Sequence, residues 1–301
     1  DANGDAGWEA VAAAGTGESY VKLNVSGALS NSGSNTFAGY NSGAALANGA
    51  SENSFYGYYA GNKVTTGGGN AFFGAVSGQD VTTGDDNTAV GQDALRTVST
   101  GGKNTAIGKD ALRVNTNSGN TAVGASALAA NTIGGYQVAV GFEALKANTT
   151  GVENTAVGHS ALKVNTTGTD NTVVGNQAGV AATTASSNNL FGDSAGEALT
   201  TGGNNSAFGK WALKTATTAE YNCAFGVNAL RRSTSGTRND AFGYSSQAST
   251  TTGTDNSSFG YNSQGLTTTG SQNVSFGSYS LDANSTGNNN VGVGYLALTA
   301  A

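Results

Sequence analysis

Few residues in this chain are equipped for acid–base, nucleophilic or metal chemistry. There is one histidine, His159, one cysteine, Cys223, and a total of 19 Asp and Glu in 301 residues. One His and one Cys cannot supply the ligands of an ordinary zinc site. No partner spacing around His159 supports a Ser-His-Asp triad, and calcium turns of the Gly-Gly-x-Gly-x-Asp kind are missing from the sequence. Cys223 has no partner for an internal disulfide. It fills a slot that elsewhere holds Thr, Ser or Asn, so it reads as a small packing residue. Asp85, Asp86, Asp93 and Asp110 are the carboxylates close enough to invite a comparison with glycan-cleaving pairs. Asp93 and Asp110, however, share a slot taken elsewhere by Ser126, Glu143 or Ser160, which marks a solvated face. The expectation is a protein without catalysis, cofactor or metal.

A basic pattern is sharper. Arg96, Arg113, Lys146, Lys163, Lys214 and Arg231 each lie five residues after a glycine of one regular series. Stacked at equal intervals they would form an interrupted stripe along one edge. It reads first as a charged edge that keeps strands of other molecules away, and second as a contact for an anionic surface glycan. The net charge of −6 and the lack of a basic block argue against nucleic acid. No run of ~18 apolar residues suggests insertion into a membrane.

The glycine series is what must position such a stripe. It runs from Gly39 to Gly294 in sixteen copies, spaced by 17 except for one interval of 18 and one of 16. Asn stands four residues before every copy but one, where Gln137 replaces it. The copy Asn154-Thr155-Ala156-Val157-Gly158-His159-Ser160-Ala161-Leu162 is representative. A period this short, kept this long, indicates a solenoid. Composition alone, with 47 Gly and no Pro, would also suit a disordered chain, but disorder does not hold an apolar residue beside a glycine through every cycle. Two regions follow: 1–34, a cap or junction, and 35–301, the repeat array. In the first, Trp8 to Ala14 suits a short helix and Tyr20 to Val25 alternates like a strand. The chain contains no Met, which suggests a processed or excised piece.

Within a copy, the residues at minus three and minus one share one face of a short strand, and those at minus four and minus two share the other. The residue before the glycine is Val or Ile through the middle of the chain, then Phe from Phe191 to Phe276. This large column is expected inside the coil, which would widen where Phe replaces Val. The minus-two column, mostly Ala, is expected outside, where small side chains admit a neighbouring chain's backbone. The glycine itself suits a corner with positive φ. Ala161-Leu162 and its equivalents predict a second short strand with a buried leucine, and looser packing where Gly179, Gly196, Gln247 or Gln264 replaces Leu. Turns such as Asn148-Thr149-Thr150-Gly151 close the coil. The recurring Asn is either a stacked amide ladder or a corner cap. Threonines beside glycines in turns do not form the flat Thr-x-Thr array of ice-binding solenoids, and the Asn-x-Ser/Thr triplets are expected by chance at this composition.

The unit Asn-Thr-Ala-Val-Gly-x-x-Ala-Leu resembles the head repeats of trimeric autotransporter adhesins. It is still more similar to repeats of phage tail-fibre proteins that end in an endosialidase-type intramolecular chaperone. The likeness covers 35–301, with a longer turn than the adhesin heads have. It implies a left-handed parallel β-roll, a homotrimeric fibre and an extracellular role in surface attachment, on a virion tail fibre or a bacterial cell surface. The combined expectation is an all-β parallel β-solenoid, about 75–80 Å long at the ordinary strand spacing. As a structural or adhesive fibre shaft or head it would have itself and a cell-surface glycan or protein receptor as partners. A tailspike-like polysaccharide depolymerase and a pure structural spacer are the alternatives.

Overall fold

The computed structural model describes residues 35–47 and 50–299, so the cap, helix and strand expected within 1–34 lie outside the described residues. The described chain is an all-β parallel solenoid of sixteen three-residue strands, from β1 (Thr36–Ala38) to β16 (Val291–Val293), stacked in sequence order into one sheet. Register follows the glycine period: Thr155 lies beside Thr172, Ala156 beside Val173 and Val157 beside Val174. The two irregular intervals are absorbed without a slip, Thr36 pairing with Ser54 and Thr105 with Thr121.

The glycine after each strand is set by its neighbour above. Gly158 has φ of 139°, and a Cβ on it would lie 2.6 Å from the carbonyl carbon of Gly175. Any side chain there would push adjacent coils apart. Its N–H donates to the Val140 carbonyl at 2.8 Å.

The predicted second strand does not form. In the segment after the corner, Glu143 and Leu145 hold φ of 57° and 49°, in the left-handed region. This alternation aims successive N–H groups in opposite axial directions: Glu143 donates to Ala125 of the coil before, Leu145 to Ala161 of the coil after. The wall is therefore bonded on both sides without being a strand. Its leucine is buried as expected, Leu145 and Leu162 being at most 1% exposed.

The two strand faces are reversed from the sequence expectation. Ala89, Ala139, Ala156 and Ala224 of the minus-two column are fully buried within their own chain. Val90 and Ile107 of the minus-one column are 38% and 40% exposed. The cause is the width of the coil. Leucines from the opposite wall already fill the space, so only a small residue fits between them and the sheet. The phenylalanines are outside as well, and the core does not widen where they begin.

Where the minus-two residue is large, the opposite wall gives way. Phe55 faces Gly61, Phe72 faces Gly78 and Leu190 faces Gly196, with hypothetical Cβ atoms on Gly61 and Gly196 placed 2.6 and 2.8 Å from the facing side chain. Gly179 and Gly196 thus mark exchanged volume rather than loose packing. Gln247 and Gln264 mark a polar core: Gln247 Nε2 donates to Ser258 Oγ at 2.9 Å and to the Asp240 carbonyl at 2.9 Å.

The recurring Asn is both ladder and closure. Asn205 Oδ1 accepts from the backbone N–H and from Nδ2 of Asn222, at 3.1 and 3.0 Å. Asn205 Nδ2 donates back to Asn188 Oδ1 at 3.0 Å and across the coil to the Ala219 carbonyl at 2.8 Å. A second ladder joins Asn115, Asn131, Asn148 and Asn165 at spacings of 3.1, 2.7 and 2.9 Å. Buried amides pay for their desolvation only when paired in this way.

Candidate functional site: the outward sheet face and the basic corner

Because the strand alternates, everything excluded from the coil at minus three and minus one is displayed on one flat face. The minus-one column runs unbroken as Ala38, Tyr56, Phe73, then Val or Ile from Val90 to Val174, Phe from Phe191 to Phe276, and Val293. No member carries a charge. Phe73 is 40% exposed and Phe276 is 59% exposed. The phenylalanines stack on one another, Phe191 to Phe208 at 4.7 Å and Phe242 to Phe259 at 4.8 Å between centroids, with planes within 5°. Their faces are consumed by stacking, so the ladder offers ring edges to whatever packs against it. In the neighbouring minus-three column the one charged residue is Asp240. Beside it, burial first and then the Asp240 carboxylate push the Cys223 thiol up from its ordinary value.

Charge is confined to other columns. The basic stripe is largely neutralised by its own chain: Arg96 bonds Asp93 at 2.9 Å and Arg113 approaches Asp110 at 3.8 Å. Lys146 and Lys163 share Glu143 at 2.6 and 2.7 Å, and Lys214 lies 3.3 Å from Glu197. The two lysines, by hydrogen bonding to its carboxylate, hold Glu143 down at about 2 from an ordinary 4.5. Among the described residues Arg231 alone of the six has no carboxylate partner, and it lies 5.6 Å from the Trp211 ring centroid. The stripe is thus an ion-paired edge with one open corner.

The other chemistry-bearing residues are not brought together. His159 stacks on Phe142, centroids 5.6 Å apart. Asp93 and Asp110 each turn to an arginine of their own coil, and Asp85 Oδ1 accepts from the Gly68 N–H at 2.8 Å. Among the described residues no group of three His, Cys, Asp or Glu is placed to hold a metal ion, and no helix is long and apolar enough to cross a membrane. Sequence reasoning missed Trp211, whose cationic surroundings come partly from the next coil. It also read the acids at plus two as a solvated face without pairing them with the plus-five cations, although the three-residue spacing was readable. No family model, curated protein or solved structure matches the chain.

Proposed function

We propose that this chain is the shaft or head of an extracellular attachment fibre, a homotrimer whose parallel copies meet along the outward sheet face. The fibre belongs to a virion tail or a bacterial surface, as the repeat resemblance implies. One observation carries the reading: the outward minus-one column, half-buried to exposed, is uncharged at every level of the solenoid and apolar at all but Tyr56. Exposed apolar area of such extent is characteristic of interfaces. In a parallel, in-register assembly each residue meets its own counterpart, so any charge would face a like charge. A column free of charge, on a chain with net −6 and ion-paired edges, has the composition that self-packing requires. Ring edges from the Phe191–Phe276 ladder interdigitate across such a contact as core side chains do.

The alanine column does not contribute, since it is buried inside each coil. Function is mechanical: a stiff rod carries surface sites outward, and several copies multiply weak contacts. The test is sedimentation of the chain and of Phe225→Asp at micromolar concentration. Assembly of the former and dissociation of the latter, with both folded, support the reading. A folded monomer in both cases removes it.

A further inference from the structure

We propose that Trp211, Arg231 and Arg232 form a subsite for a carboxylated polysaccharide, a proposal that rests on the attachment reading and names its ligand class. Trp211 occupies the second position after Gly209 with φ of 63°. The same slot, left-handed in every copy, holds short polar residues such as Asp93, Ser126, Ser160 and Asn228 and also the bulky Tyr59, Val76 and Tyr279. The ring is surrounded by cations: Lys210 Nζ at 4.5 Å, Lys214 Nζ at 5.4 Å and the Arg231 guanidinium at 5.6 Å from its centroid.

Elsewhere the plus-five cations are matched by acids. Here Lys210 and Lys214 have Asp193 and Glu197, each at 3.3 Å. Arg231 and Arg232 are exposed and have no carboxylate partner among the described residues. Three cations around the ring against two carboxylates leave this corner positive on an acidic chain, and Arg232 follows Arg231 in the sequence. A guanidinium binds a carboxylate through paired N–H groups. The indole adds a flat apolar surface and one N–H donor, suited to a sugar ring with its hydroxyls. An acidic sugar unit satisfies both requirements at once, and Trp with Arg is the composition of binding hot spots. In a parallel assembly the corners of all copies lie at one height, so a repeating anionic chain engages several together.

The probe is polygalacturonate, with neutral dextran as control, bound to the full chain and followed by biolayer interferometry. The native chain should bind polygalacturonate and not dextran. Binding should weaken as salt rises from about 0.1 to about 1 M, because the screening length falls from ~10 to ~3 Å. Trp211→Asn and the double variant Arg231→Gln, Arg232→Gln should each lose about tenfold or more in affinity. Trp211→Asn should leave the thermal midpoint unchanged or raised, since Asn accepts the left-handed conformation. A native chain that ignores polygalacturonate, or variants that bind it equally well, would overturn the subsite. So would a Trp211→Asn variant with a lowered midpoint and undiminished binding, which would make Trp211 a packing residue. Sedimentation of the same samples separates the two proposals. An assembled chain that does not bind loses only the subsite, and a monomer that binds loses only the fibre.

Discussion

Gly61 faces Phe55 across the coil so closely that a Cβ on the glycine would lie 2.6 Å from the ring. Two walls of the solenoid therefore share a fixed volume, divided as Phe and Gly here and as Ala and Leu at Ala156 and Leu162. Exchange of the pair is a direct test. Phe55→Ala alone should cost about 3–5 kcal/mol, because a buried ring is removed from a packed core. Gly61→Leu alone should destabilise by overpacking. The double variant should recover at least half of the loss, since Leu162 shows that this wall accepts leucine at φ of 50°. Chemical denaturation of all four proteins measures the coupling. Additive losses would contradict the shared-volume arrangement.

The amide ladder has one weak rung. Gln137 keeps backbone links to both neighbours, accepting from the Asn154 N–H at 3.2 Å, but makes no amide–amide bond to Asn120 or Asn154. Gln137→Asn should raise stability by about 1 kcal/mol for the restored bonding. Asn205→Ala should lower it by roughly 3 kcal/mol or more, because several buried groups lose partners together. Thermal and denaturant unfolding of both variants reads these opposite signs.

Acid should weaken the fold through Glu143. Its carboxyl is held at about 2, against an ordinary 4.5, by hydrogen bonds from Lys146 and Lys163. A depressed carboxyl contributes stability that is complete above its unfolded value and lost as pH falls through its folded value. The contribution should therefore disappear between about 4.5 and about 2. Asp193 and Asp255 are also held below their ordinary value, by Asn176 and Arg238 in turn, and act in the same direction. Melting curves across this range should be flatter for Glu143→Gln than for the native chain. Identical slopes would show that the two lysines do not hold the carboxylate in solution.

Neighbouring substitutions on one strand should have different consequences. Ala156→Asp places an unpaired charge in the core and should unfold the surrounding coils. Val157→Asp lies on the outward face and should leave the circular dichroism of each chain intact while preventing assembly. Equal unfolding by both would mean that Val157 is part of the core.

The period, the strands and their parallel register were legible because one glycine per coil must stack on the next, and nothing else fits. Which strand face turns inward was not. Alternation defines two faces, and size suggested the wrong one because Leu162 and its equivalents fill the coil from the far wall. The signal that decides it was present as paired exchange, Phe55 with Gly61 and Leu190 with Gly196, six residues apart. It is invisible when each column is read by itself. The neutralised stripe was half legible, since Asp93 and Glu143 stand three residues before Arg96 and Lys146. The open corner at Trp211 was not, because Arg231 reaches it from another coil.

Sedimentation equilibrium of the chain at micromolar concentration tests the outward-face assembly most directly. The expected mass is about three times the 29.6 kDa of one chain, falling to one chain for Val157→Asp and Phe225→Asp with their β-structure retained. A folded native chain that sediments at 29.6 kDa, unaffected by either substitution, would contradict it.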